Sequence, residues 1–263
     1  MMNKGKLIAT SLGPGDAGLI TRRAWQVMQS DAMWCYPVRR KGGQSHALGI
    51  AERTGMAIPK DALALVFPMT HETEVLTRAW ARAADKIMPT LQSGRDVAFL
   101  VEGDASTFST FTYLARYVQG LDADIEVETI AGVPSYHAAA ASIAFPLAET
   151  DDTVAIIPAG YGVDELEKIL PHFDTLVLLK VKPLLDRVID WLSQHDLLAD
   201  AVFVEKSGAP EERIIRDVAS LKGEKVNYLS LMLVRNANRE RGEMIRGCKK
   251  KDLPRRRGDA EEI

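Results

Sequence analysis

A chain of 263 residues is long enough for one large domain or two small ones, and 46% hydrophobic with 26% charged residues is the balance of an ordinary globular enzyme. A formal charge of −3 and 6% aromatic residues give no reason to expect a nucleic-acid or membrane-surface binder. No apolar run approaches the ~18 residues of a membrane span, and Cys35 and Cys248 form no C-x-x-C pair, which points to a reducing compartment. The opening run MMNKGKLIATSLG enters a strand-like segment without a hydrophobic signal region, so a cytoplasmic location is expected.

In chain order, residues 6–12 read as a strand, 21–30 as a helix capped by Thr21, and 32–38 as a second strand. A helix over 45–54, with Ser45 as its cap, leads to a short strand at 63–67. A long amphipathic helix spans 72–92, where Val75, Leu76, Ala79, Ala83, Ile87 and Leu91 recur near a 3.6-residue period. The continuous apolar run 96–101 is the pattern of a central buried strand. A helix over 107–119 and a strand over 126–130 follow. This alternation predicts a largely parallel sheet covered by helices. Beyond a boundary at 131–146, punctuated by Gly132, Pro134 and Pro146, strands are expected at 153–158, 175–181, 201–205 and 227–234. Helices are expected at 184–195 and 210–221, and the denser strands suit a mixed sheet. The expected fold class is α/β, with two α/β domains over 1–131 and 132–247 and a charged, solvated, disordered tail over 248–263.

Three segments carry chemistry. SLGPGDAGLITRRA spells G-x-G-x-x-G through Gly13, Gly15 and Gly18, the pattern of a dinucleotide site. Pro14 has no N–H to offer a diphosphate, Asp16 adds a negative charge beside it, and the best helix start, Thr21, falls after the motif. Gly13-Pro14-Gly15-Asp16 reads better as a stiff turn that brings backbone close to a ligand. Arg39, Arg40 and Lys41 would suit a 2′-phosphate, which keeps an NADP-dependent oxidoreductase as an alternative. VEGDASTFST follows the buried strand, so Glu102, Gly103 and Asp104 belong at its carboxyl end, where open α/β sheets bind ligands. Asp104 is expected to face a ligand amine or hydroxyl, and Thr107 either caps the next helix or touches the ligand. TIAGVPSYHAAAASIAFPL leads from another strand into a small-residue helix, with Ser135 at its start. The five histidines and two cysteines do not cluster as metal ligands, and no G-x-S-x-G elbow, H-E-x-x-H helix or P-loop is present.

Together these three segments resemble the tetrapyrrole methylases, whose members open on G-x-G-P-G-D, continue with a G-D-P segment and enter a helix from P-G-V/I-S-S. KSGAPEERI followed by NYLSLMLV is similar to that family's closing strand-helix-strand, so the resemblance spans residues 6 to 235. YPVRRKGGQSHALGIAERTG and the segment around Ser135 resemble the branch that methylates C(20) of precorrin-2 or cobalt-factor II in cobalamin biosynthesis. Ala105 and Ala131 depart from it, since both positions usually hold proline. The resemblance implies S-adenosylmethionine bound in a cleft between two α/β domains of a homodimer, with a small-molecule tetrapyrrole as substrate and no metal site. It implies that Glu102, Gly103, Asp104 and Thr107 hold the cofactor from one side, Ser135 and Tyr136 at the junction, and Lys180 and Leu231 from the second domain. Gly13, Pro14, Gly15 and Asp16 would line the substrate side, and Arg22, Arg23, Arg39, Arg40 and Lys41 would attract the ring's carboxylates. Asp16 and Glu102 are the candidates, by position, for a base that removes the proton from the methylated carbon. Another branch of the family, such as the diphthamide or ribosomal-RNA methylases, and a non-catalytic cofactor binder stay open as alternatives.

Overall fold

The computed structural model describes residues 3–239 and 241–242; the charged tail and Cys248 lie outside them. The first half runs β1 (Leu7–Ser11), α1 (Arg22–Met28), β2 (Met33–Val38), α2 (His46–Arg53), β3 (Leu63–Val66), α3 (Thr73–Gln92), β4 (Val97–Val101), α4 (Phe111–Leu121) and β5 (Val127–Ile130). Its sheet has the order β3-β2-β4-β1-β5, and every neighbouring pair is parallel. The central strands β1 and β4 are buried along their whole length, as a strand covered on both faces must be. Successive side chains alternate between two cores. Leu7, Ala9 and Phe99 meet α3 and α4 through Ile87, Leu91, Leu114 and Val118, while Ile8, Trp34 and Leu100 meet α1 and α2 through Val27, Ala47 and Ile50. Each fully buried large side chain contributes roughly 1.5–3 kcal/mol.

The second half holds α5 (Ser135–Ser142), β6 (Val154–Pro158), α6 (Val163–Ile169), β7 (Thr175–Leu179), α7 (Leu185–Gln194), β8 (Ala201–Glu205), β9 (Arg213–Ile215) and β10 (Ser230–Arg235). Its sheet order is β6-β7-β10-β8-β9, parallel only between β6 and β7. The small residues of α5 let it lie flat on this second sheet: Ala139, Ala140 and Ile143 pack on Val177, Val204 and Leu233.

Three expectations need correction. The helix expected at 210–221 is instead the edge strand β9 followed by a 3-10 turn, Val218–Leu221. The β-branched Ile214 and Ile215 gain pairing with β8, and Arg213 reaches Glu205 across the pair at 3.3 Å. The helix expected from 107 begins only at Phe111, because Phe108 turns the backbone to a φ of +53°; Thr107 is therefore no cap. Helix α6 was not expected, although Asp164 and Glu165 in its first turn and Lys168 in its last suit the helix dipole.

Candidate active site

A parallel sheet leaves all its carboxyl ends on one side, so the loops after β1, β4 and β5 converge. Backbone ties fix them to one another. Gly13 N–H donates to Gly103 O at 3.2 Å, and Gly103 N–H donates back at 2.7 Å. Both glycines hold a positive φ, +75° and +76°, which a side chain would strain. Ser11 Oγ donates to Ile130 O at 2.6 Å and accepts the Ala105 N–H at 2.9 Å. Proline, usual at position 105 in the resembling family, has no N–H to make that second bond. Gly132 is packed so closely that a Cβ there would stand 2.4 Å from the Ser11 Cβ and 2.5 Å from Gly103 O.

Asp104 closes this frame. Its Oδ2 accepts the Gly132 N–H at 2.6 Å, and its Oδ1 accepts the Ser106 N–H at 2.8 Å and the Ser106 hydroxyl. Burial pushes the Asp104 carboxyl up, but the Gly132 and Ser106 donors outweigh it and hold the group below the usual carboxylate range. Asp104 was expected to turn its carboxylate to a ligand; the structure gives both oxygens internal donors instead. Glu102, two residues earlier, is the opposite. It is half-buried, and no hydrogen bond or ion pair among the described residues ties down its carboxylate. Burial raises its pKa to about 7, against the nearby charges of Arg39 and Arg53.

The Gly13–Asp16 turn was expected to line the cleft, yet only Pro14 does. Gly15 faces the second half, where a Cβ would lie 2.5 Å from Ala209 N and 2.7 Å from Gly208 C. Arg53 grips the turn from α2, donating Nε and Nη2 to Gly15 O at 3.1 and 2.8 Å. Asp16 is exposed and accepts the Gly18 N–H at 2.7 Å, so its carboxylate shapes the turn.

From the second half, Lys180 follows β7 and Lys206 follows β8. Both hold left-handed backbone, φ +56° and +53°. They flank the start of β10: Lys180 N–H donates to Ser230 O at 3.1 Å and Lys206 N–H to Leu229 O at 2.7 Å. Ser230 Oγ is buried beside the cleft with no hydrogen-bond partner among the described residues. Contacts cross between the halves. The Lys180 ammonium lies 5.5 Å from the Phe108 ring centroid, and Arg39 lies 5.3 Å over Tyr228.

The result is one cleft of about 700 Å³ between the sheets. Glu102, Gly103, Asp104, Thr107, Ser135, Tyr136, Lys180 and Leu231 all line it, as do Tyr36, His46, Arg53, Lys206, Tyr228 and Ser230, which sequence reasoning missed. A lysine directly after an apolar strand was a readable signal for Lys206, as for Lys180; nothing comparable marked Arg53. Of the five basic residues expected to face a ligand, only Arg39 reaches the cleft's rim, through Tyr228. Arg23 pairs with Glu128 at 2.9 Å, and Lys41 borders a separate hollow with Arg82 and Lys86. Burial, reinforced by Arg39, Lys206 and Arg53, lowers the His46 pKa, so its ring is neutral at neutral pH.

Residues 6–221 match the family of Tetrapyrrole (Corrin/Porphyrin) Methylases. The chain belongs to this family. This methylase is 32% identical to the cobalt-precorrin-2 C(20)-methyltransferase of Salmonella typhimurium, over 88% of its own length and 96% of the relative's. It is 26% identical to the precorrin-2 C(20)-methyltransferase of a Sinorhizobium species, over 88% and 95%. Its fold is similar to that of the uroporphyrin-III C-methyltransferase of Thermus thermophilus solved in complex with S-adenosylhomocysteine, with a TM-score of 0.59, 21% identity and coverage of 88% and 97%. Among the described residues of the methylase, no helix is long and apolar enough to cross a membrane.

Proposed function

We propose that this methylase transfers the methyl group of S-adenosylmethionine to the C(20) meso carbon of precorrin-2 or its cobalt-bearing form, on the route to cobalamin. What carries the reading is that each of the family's three motifs sends residues, Pro14, Gly103 with Asp104, and Pro134 with Ser135, into one cleft with three cations, Arg53, Lys180 and Lys206. The cleft also suits a ligand of this kind. Among the described residues, a Cβ at Gly103 would meet nothing within 4 Å, which leaves backbone open to a ligand, and the buried Ser230 hydroxyl lacks a partner.

Bound S-adenosylmethionine supplies an electrophilic methyl group on a sulfonium centre, and the electron-rich ring is the nucleophile. The chain aligns the two and excludes water. The Gly103–Thr107 segment holds the cofactor from the first half; Ser135, Tyr136, Lys180, Ser230 and Leu231 hold it from the second. Arg53 and Lys206 bind the ring's carboxylates. Pro14 meets the ring, while Gly13, Gly15 and Asp16 act through the shape of their turn. We extend the proposal to a cytoplasmic homodimer with domains over 1–131 and 132–247. The packing of α5 on the second sheet supports that boundary. Exposed Val75, Tyr113 and Leu121 on α3 and α4, apolar surface of the kind a second copy buries, support the dimer.

The test is incubation of the purified protein with S-adenosylmethionine and, separately, each of the two rings. Mass spectrometry is expected to show one added methyl on at least one ring. No product from either ring rejects the reading.

A further inference from the structure

Four acidic residues line the cleft, and of these Glu52 and Glu211 are exposed, Asp104 is built into the loop frame, and Glu102 is shielded from solvent with no bond of its carboxylate to the fold among the described residues. A carboxylate partly withdrawn from water without hydrogen bonds or an ion pair destabilises a protein, and Glu102, half-buried at the cleft wall, has neither among the described residues. It closes β4, the middle strand of the first sheet, at the cleft wall. Asp104, on the same loop, has both oxygens satisfied by Gly132 and Ser106, and Asp16 is outside the cleft and holds its own turn. The cations acting on Glu102 are Arg39, beyond β2, and Arg53, at the end of α2; His46, Lys180 and Lys206 line the same cleft. No ion pair within 4.0 Å fixes Glu102 to either arginine among the described residues, so its carboxylate is free to meet a ligand.

We propose that Glu102 takes the proton from C(20) once the methyl group is in place. The inference rests on the proposed C(20) methylation. In that reaction the ring's π electrons form the new carbon–carbon bond, and the carbon–sulfur pair stays on sulfur, leaving S-adenosylhomocysteine. The methylated C(20) then carries a hydrogen it must lose. Its C–H bond breaks, the electron pair returns to the ring, and the proton passes to Glu102, which later releases it to solvent. Burial supports the role: with a pKa of about 7, half of Glu102 is the free base at neutral pH, and that base is strong enough to accept a proton.

Glu102→Gln and Glu102→Asp separate this role from a part in holding the cofactor. Single turnovers with the full chain, on whichever ring the wild type accepts, should show a wild-type rate that falls as pH drops through about 7. Glu102→Gln should lose about 10²–10⁴-fold in rate, lose that limb, and show a primary isotope effect on a C(20)-deuterated ring. Glu102→Asp should recover part of the rate and the limb. S-adenosylhomocysteine affinity by calorimetry should be unchanged in both. Infrared difference spectra should show a carboxyl band titrating near 7 in the wild type and absent from Glu102→Gln. A Glu102→Gln protein with wild-type rate and pH profile overturns the inference while leaving C(20) methylation standing, as does a fall in S-adenosylhomocysteine affinity that accounts for the whole rate loss. A wild type that methylates neither ring removes both.

Discussion

The two halves of this methylase reach the same cleft by different means. In the first half, five parallel strands bring three loops together, and the loops are tied backbone to backbone or to a buried side chain: Gly13 to Gly103, Gly132 to Asp104, Ala105 to Ser11. In the second, β10 runs antiparallel to β7 and β8, so one strand begins at the cleft where two others end. The groups presented there are side chains held on left-handed backbone, Lys180 and Lys206, and Ser230, whose hydroxyl has no partner among the described residues. Each such residue stores roughly 1–3 kcal/mol of strain. The first half is thus a frame whose loops, Glu102 apart, are bonded into the fold. The second is a wall whose apolar cleft residues, Tyr136, Leu179 and Leu231, belong to the core, while its polar side chains Lys180, Lys206 and Ser230 are left for a ligand.

That contrast makes substitutions in the frame the most damaging. Gly132→Ala forces a Cβ to within 2.4 Å of Ser11 Cβ and 2.5 Å of Gly103 O, neither of which is the end of a flexible chain. We expect about 3 kcal/mol of lost stability in urea unfolding. Gly15→Ala is its counterpart. The added Cβ meets the Gly208–Ala209 backbone at the seam between the halves, so it should lower turnover as well as stability. A Gly132→Ala protein as stable as the wild type would remove the frame from the comparison.

Asp104→Asn tests the same frame electrostatically. An amide cannot accept from Gly132 and Ser106 on both sides, so a buried N–H loses its partner, at a cost of about 1.5–3 kcal/mol at neutral pH. The pH dependence has a definite sign. The Asp104 pKa is lower in the folded chain than the ordinary 3.8, so the unfolded chain binds the proton first as pH falls. The stabilisation is complete above 3.8 and is lost as pH falls toward the folded value. Melts of the two proteins should therefore converge in acid; a gap independent of pH rejects the charge-based account.

The same contrast explains what the sequence made legible. In a parallel βα array, the residues after an apolar strand lie at one sheet edge, so Glu102, Gly103 and Asp104 could be placed at a ligand cleft from local pattern. Their division of labour could not. Asp104 finds its donor 28 positions away at Gly132, and Gly15 is gripped by Arg53 from 38 positions away; such pairings are set by how loops pack, not by neighbours in sequence. In the mixed sheet the rule that ligands lie at carboxyl ends holds for Lys180 and Lys206, after β7 and β8, but fails for Ser230, which stands at the amino end of β10. Ile214 and Ile215 read as helix because their strand pairing with β8 is a tertiary event. The left-handed turn at Phe108 has no signature in a residue type that rarely adopts it.

The smallest effect on stability should come from the wall, at Lys206→Gly. Glycine accepts the φ of +53° without strain, a gain of about 1 kcal/mol, but loses more backbone freedom on folding, a loss of about 0.5–1 kcal/mol. The two nearly cancel, so the melting curve should stay within about 1 kcal/mol of wild type. What disappears is a cation in the cleft. One charge-assisted contact to a ring carboxylate is worth about 1.5 kcal/mol, so KM for the ring should rise about tenfold. Affinity for S-adenosylhomocysteine should change little if Lys206 faces the ring and fall if it faces the cofactor. A Lys206→Gly protein that loses as much stability as Asp104→Asn would mean that the polar cleft side chains of the second half, too, are groups the fold depends on.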